Sequence, residues 1–206
     1  MKTFTLAQKE RRERILQSAR DQLSRLGYEG LNMRDLAVEA NVSTSTLYNL
    51  YQSKDTLILA ALQDLLAGLN EAVVGTGVRG VDRCIANAEA IADQIVDTPR
   101  YAEAMAKMLF AGEQSDPIVR ALLGTALEQQ REMLNEMLES GEMDAGVDTE
   151  FIARSMTSTG WSAILLWMKG YVALHDFKRE YVRNAMTTLL PWLLDNAEQR
   201  VRKLVI

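Results

Sequence analysis

Apolar residues recur along nearly the whole chain at intervals of three and four, and that spacing confines it to helices. Ile15, Ala19, Leu23 and Leu26 share one face of an α-helix, as do Val81, Ile85, Ala88, Ala92 and Ile95, because a 3.6-residue turn stacks positions i, i+4 and i+7. Leu123, Leu127, Met133, Leu134, Met137 and Leu138 follow the same rhythm less regularly. No run alternates apolar and polar residues long enough to make a half-buried strand, and only three prolines interrupt 206 residues. Breaks fall at Gly27 to Gly30, Asn41-Val42, Gln52-Ser53, Gly75 to Gly80, Thr98-Pro99, Gly112 to Pro117, Gly141 to Asp148 and His175-Asp176. They leave about nine helices, so the expected class is all-α.

The bulk properties bound the function. Hydrophobic residues at 48% and charged residues at 25% suit a chain that buries a core without staples. A lone cysteine rules out a disulfide within the chain and fits a reducing cytoplasm. The N-terminal MKTFTLAQKERRER has no apolar secretory core. The apolar-leaning run from Ser155 to Met168 is shorter than the roughly 20 residues of a spanning helix and reads as a buried one. Net charge is −5, but residues 1–55 carry +2 and the remainder −7. An acidic body with a locally basic head is compatible with nucleic acid meeting the head.

The head carries the sharpest local chemistry. A first helix from about Lys9 to Leu26 ends at Gly27, a suitable left-handed C′ residue. Asn32 can cap a short second helix, Met33 to Ala40, with Asp35 three residues on and Leu31 and Leu36 at the staple positions. The helix stops at Asn41, which tolerates the left-handed turn. Ser43 then caps a third helix, Thr44 to Tyr51. A long helix followed by two short ones across a tight turn is a helix-turn-helix. On the third helix Leu47 and Tyr51 point inward, while Ser45, Thr46, Asn49 and Leu50 lie roughly opposite. Short hydrogen-bonding side chains suit phosphates and base edges. Tyr48 flanks them, Arg34 projects from the second helix, and Lys54 opens the fourth.

The stretch R14-I-L, A19, L23, G27-Y, M33-R-D-L-A and A40-N-V-S-T-S-T-L-Y-N-L-Y-Q-S-K-D-T-L57 resembles the DNA-binding head of TetR-family (tetracycline-repressor-like) transcriptional regulators. Its core is V-S-x-x-T-L-Y-x-x-Y-x-S-K-D-x-L, from Val42 to Leu57. The resemblance implies that Arg34, Ser45, Thr46, Tyr48 and Asn49 face an operator and that Lys54 holds a backbone phosphate. Ser43, Thr44 and Leu50 complete the candidate DNA-contacting set. Asn41 stands where the family usually has glycine, Ser45 where it often has glycine or alanine, Tyr51 where it has phenylalanine, and Leu50 where it often has histidine. Leu50 either meets a thymine methyl or tucks under a neighbour. Lys2, Lys9, Arg11, Arg12 and Arg14 form either further phosphate contacts or a solvated first turn.

The expected division is a DNA-binding domain over 1–53 and a ligand-binding and dimerisation domain over 54–206. Ser53 caps the fourth helix, with Asp55 in its first turn. Met105, Met108, Leu109, Met133 and Met137 can line an adaptable apolar pocket or simply fill a core. The helix from Asp148 to about Ala173 is apolar on two sides. Ile152, Met156, Gly160, Ala163 and Trp167 make one face and Trp161, Leu165 and Met168 the other. One face can line the interior and the other can meet a partner chain. Trp161 and Leu165 are the ligand candidates; Met156, Gly160, Ala163 and Trp167 are the dimer candidates. The last helix adds Met186, Leu190 and Leu193 to the dimer set, with a kink expected at Pro191. By resemblance these last two helices form a four-helix dimer interface.

Other features read blandly. His175 beside Asp176 can be a switch or metal ligand but reads as structural or solvated. Cys84 reads as a buried small hydrophobe, and Glu128, Glu132, Glu136 and Glu139 as a solvated helix face. With no phosphate-cradling glycine loop, metal-spaced cluster or paired nucleophile and base, no enzyme, cofactor or metal is expected. The expected function is a cytoplasmic homodimeric repressor released from a palindromic operator by a small apolar or amphipathic effector. The alternatives are a regulator of the same fold that activates or answers to no small molecule, and, remotely, a helical enzyme.

Overall fold

The computed structural model describes residues 5–111 and 117–206, and of Met108 to Ala111, Pro117 and Ile118 the backbone only. Its described residues form ten α-helices and one 3-10 turn, without a strand: α1 Leu6–Gly30, α2 Met33–Glu39, α3 Thr44–Tyr51, α4 Lys54–Gly75, α5 Gly80–Asp97, α6 Pro99–Ala111, α7 Pro117–Glu139, α8 Thr149–Met168, α9 Leu174–Leu189, the turn Leu190–Trp192, and α10 Asp195–Val205. The expected all-α class holds. The extra helix comes from Pro191, which ends α9 outright where a kink was expected, because its ring removes a backbone donor.

Two compact units emerge. The first comprises the described residues of Met1–Leu66 and Thr98–Ile118, the second those of Ala67–Asp97 and Val119–Ile206. In the first unit α1 packs on α2 and α6, and α2 on α3. Its core is Ile15, Leu16, Ala19 and Leu23 of α1, Leu36 and Ala37 of α2, Leu47 of α3, Leu57 and Ile58 of α4, and Tyr101 and Ala104 of α6, all buried. Compactness thus draws its line past residue 53, because the apolar face of α1 is wider than α2 and α3 can cover. Arg20 adds polar joints, reaching the Ala61 carbonyl and Asp64 of α4, each at 3.2 Å. α4 is long and apolar enough, by length and composition alone, to cross a bilayer; Leu57, Ile58, Leu59, Ala61 and Leu62 near its start are buried in the first unit.

In the second unit α9 packs on α8, α5 and α10. Val81, Cys84 and Ala88 of α5, Met133, Leu134 and Met137 of α7, Ile152, Ala153 and Met156 of α8, and Val182, Met186 and Leu189 of α9 share one core. Burial pushes the Cys84 thiol up to about 12, so it behaves as the expected small hydrophobe. Polar groups fasten the rim. The N–H of Val81 donates to Glu142 Oε2 at 2.9 Å, and that carboxylate also pairs with Arg200 at 2.6 Å. Gly80 has φ +57, and a Cβ there would collide with the Glu142 carboxylate. Arg83, only 6% exposed, pairs with Glu136 and reaches Asn70 Oδ1 at 3.3 Å and Glu132 at 3.5 Å. Glu136 is therefore a structural partner of a buried cation, which corrects its reading as part of a solvated face, while Glu128, Glu132 and Glu139 are exposed as expected. The partner of Glu136 sits about fifty residues away in sequence, beyond the reach of a helix-face pattern. Glu128 pairs with Arg131 at 2.7 Å.

Candidate nucleic-acid interface

Local hydrogen bonds build the helix-turn-helix. Asn32 Oδ1 accepts from the Arg34 N–H at 2.8 Å and so starts α2. Asn41 turns the chain with φ 53, and its N–H donates to the Val38 carbonyl at 3.1 Å. Ser43 Oγ accepts from the Thr46 N–H at 3.1 Å and starts α3. Ser53 does the same for α4 through Thr56 at 3.1 Å. These four expectations hold. Two features went unanticipated: the capping box that starts α1, where Thr5 and Gln8 exchange bonds, and the positive φ of Gln52.

α3 presents a clean division. Leu47 and Tyr51 are buried, while Ser45, Tyr48, Asn49 and Leu50 are exposed and Thr44 and Thr46 partly so. Leu50 is 52% exposed, so it does not tuck under a neighbour. The hydroxyls of Ser43, Ser45 and Thr46 gather at the α3 N-terminus, with Ser43 Oγ 2.9 Å from Ser45 Oγ and 2.7 Å from Thr46 Oγ1. Such hydroxyls are donors and acceptors with movable protons, at a helix end that favours anions. Arg34 is exposed on α2, and Lys9, Arg11, Arg12 and Arg14 are exposed on α1.

Lys54 is half-buried, and its Nζ lies 4.2 Å from the centre of the Tyr28 ring. The Tyr28 hydroxyl donates to Asp55 Oδ1 at 2.7 Å. That bond, with some burial, pushes the Tyr28 hydroxyl up to about 12, so it stays a donor. Gly27 precedes it at φ 70, ψ −177, ending the regular course of α1 where a C′ glycine was expected. The sequence reading took Tyr28 only as part of a motif; an aromatic placed by a left-handed glycine is the signal that could have found it.

The candidate ligand residues are distributed over both units. Met105 is buried with α6 in the first unit, while Met133 and Met137 are buried in the core of the second. Trp161 is half-buried and Leu165 exposed; the side chains of Met108 and Leu109 lie outside the described residues.

Of the dimer candidates, Met156, Ala163, Met186 and Leu193 are buried in their own chain, while Gly160, Trp167 and Leu190 are half-buried. Gly160 faces the Tyr181 hydroxyl, Trp167 stacks at a tilt on Phe177 with centroids 5.7 Å apart, and Leu190 packs against the core. α9 packs on α8 and covers the face of Ile152, Met156 and Ala163. The other face carries Phe151, Ser155, Ser158, Ser162, Leu165 and Leu166, half-buried at Ser155 and exposed elsewhere.

Comparison with known proteins agrees with this geometry. The family described as "Bacterial regulatory proteins, tetR family" matches residues 15–61. The HTH-type transcriptional repressor KstR of Rhodococcus jostii is 46% identical over 56 residues, 27% of this chain and 26% of that protein. The match thus spans only about a quarter of that relative. KstR2 of Mycolicibacterium smegmatis is 24% identical over 171 residues, 78% of this chain and 80% of its own. Among solved structures, the TetR-family repressor FadR of Thermus thermophilus, in complex with lauroyl-CoA, is similar with TM-score 0.68 and 24% identity over 90% of this chain and 96% of that one.

Proposed function

We propose that this chain, whose head is that of the tetR family of bacterial regulatory proteins and whose course follows the fold of solved members, is a DNA-binding transcriptional repressor of the cytoplasm. The observation that carries the reading is the exposed α3 face of Ser45, Tyr48, Asn49 and Leu50 over a buried Leu47 and Tyr51. Asn49 and Arg34 read base edges, Leu50 meets a thymine methyl, and Ser43, Thr44, Ser45, Thr46, Tyr48 and Lys54 hold phosphates. In this assignment residues 1–53, joined by Lys54 at the start of α4, do the DNA binding, and the rest of 54–206 does the dimerising and sensing.

A homodimer sets two α3 helices about 34 Å apart for successive major grooves. The α8 stripe of Phe151, Ser155, Ser158, Ser162 and Leu165 is its contact face. The hydroxyls of Ser155 and Ser162 already bond the carbonyls of Phe151 and Ser158, each at 2.9 Å. The stripe therefore offers small side chains, two of them with satisfied hydroxyls, between two apolar ends, suited to close helix packing.

The effector is a small apolar or amphipathic molecule that binds better to the state with the wrong head separation. The lauroyl-CoA of the Thermus thermophilus protein makes an acyl-CoA the first candidate. The deciding experiment is selection of duplexes from a randomised pool, followed by titration of the bound site with acyl-CoAs. A two-fold symmetric site is expected. No preference over random competitor would sink the DNA reading, and a site no ligand releases would favour a regulator without an effector.

A further inference from the structure

We propose that Tyr28 is a positioning residue that holds the Lys54 ammonium ready for a DNA phosphate, an assignment that rests on the DNA-binding reading above. Three observations converge. The Lys54 Nζ sits 4.2 Å above the centre of the Tyr28 ring, within the range of a cation–π attraction. The Tyr28 hydroxyl is tied to Asp55 Oδ1 at 2.7 Å, so the ring has a fixed tilt as well as a fixed place. Gly27 at φ 70 turns the end of α1 so that the next side chain reaches the start of α4.

The chemistry needs such a device. Lysine carries its charge on four rotatable bonds, and ordering it on DNA opposes binding. A ring face confines the ammonium while leaving its three donors free, because the attraction comes from the ring's quadrupole. Asp55, next in sequence, favours the α4 N-terminus but is the wrong sign beside a phosphate. By donating to Asp55, the Tyr28 hydroxyl ties the ring to the first turn of α4, beside Lys54. One side chain thereby orients the cation and is itself held by the residue that follows Lys54.

The test is a double-mutant cycle of Tyr28→Leu and Lys54→Ala, read as affinity for a duplex selected by the wild-type protein, at one fixed salt concentration. Tyr28→Leu weakens binding about two- to five-fold, and has no further effect once Lys54 is alanine. An equal loss in both backgrounds, or no loss in the wild type, overturns the assignment. Tyr28→Phe keeps the ring, releases Asp55, and gives a smaller loss that likewise vanishes without Lys54. This second cycle decides the question should Tyr28→Leu not fold. Selection of no duplex by the wild-type protein would sink the DNA reading itself, whereas selection without coupling sinks only the role of Tyr28.

Discussion

The two compact units start their helices by different means. In the first, Asn32, Ser43 and Ser53 each cap a helix through a backbone N–H two or three residues away. In the second, Asp148 caps α8 in the same way, but α5 begins against carboxylates from far along the chain, Glu142 on Val81 and Glu136 on Gly80. The first arrangement needs only a few consecutive residues. The second exists only after α5, α7 and the segment following α7 have come together. The recognition surface is thus locally specified, while the second unit couples the start of one helix to the packing of α7 and of the segment after it. The effector response proposed above would gain from such coupling, because one lost contact disturbs several elements together.

The largest test of this contrast is Glu136→Ala. It leaves Arg83 buried without its main counter-charge, and removing one partner of a buried pair destabilises by about 3–5 kcal/mol. Urea unfolding followed by circular dichroism is expected to show a loss of that size. The companion change Arg83→Met with Glu136→Leu removes both charges and is expected to recover most of it, since apolar replacement of a buried pair is often near neutral. A Glu136→Ala loss under about 1 kcal/mol, the size of an exposed pair, would mean that Glu132 and Asn70 suffice and that the contrast is weaker than drawn.

The same difference of range explains what could be read in advance. The caps, the Asn41 turn and the inward Leu47 and Tyr51 each follow from residues within one or two turns, so spacing alone revealed them. The role of Glu136 depends on Arg83, whose position relative to α7 no helical wheel contains. Which face of α8 its own chain covers could not be read in advance for a similar reason. Ile152, Met156 and Ala163 are apolar and look like an interface, but α9 reaches them first. Phe151, Ser155, Ser158 and Ser162 look like a solvated stripe because serine is polar, although two of these hydroxyls are bonded to their own helix. Hydropathy marks which faces want cover; it does not say which neighbour supplies it.

Asn49→Ala sharpens the functional side of the comparison. Asn49 is exposed on α3 and supports nothing beneath it, so stability is expected to hold within about 0.5 kcal/mol. Affinity for the selected site is expected to fall by about 1–3 kcal/mol, with preference lost at particular base pairs and little change on random duplex. Lys54→Ala behaves oppositely, weakening all duplexes alike and lowering the salt slope by about one. Equal effects of Asn49→Ala on specific and random duplexes would remove it from the reading positions. Ser43→Ala comes next in size. It removes an acceptor from the α3 N-terminus and is expected to lower stability by about 1 kcal/mol, whereas Ser43→Gly costs only a few tenths. Equal losses for alanine and glycine would mean that the hydroxyl links to Ser45 and Thr46, rather than the cap, carry the effect.

The smallest expected effect separates conformational need from side-chain chemistry at the turn itself. Asn41 sits at φ 53, a region that asparagine enters more readily than other side chains and glycine enters freely. Its N–H bond to the Val38 carbonyl is available to any residue but proline. Asn41→Gly therefore keeps the turn, and glycine's greater freedom in the unfolded chain offsets its relief in the folded one. The net change is expected to lie within about 0.5 kcal/mol by urea unfolding. Asn41→Val places a β-branched side chain in the same conformation and is expected to lower stability by about 1–2 kcal/mol. Since α2 and α3 meet across this turn, that variant should also lose operator affinity beyond its loss of stability. A valine tolerated as well as glycine would show that the angle between α2 and α3 is set by the packing of Leu36 and Leu47, with the turn merely following, and the first unit would then be less locally specified than its caps suggest.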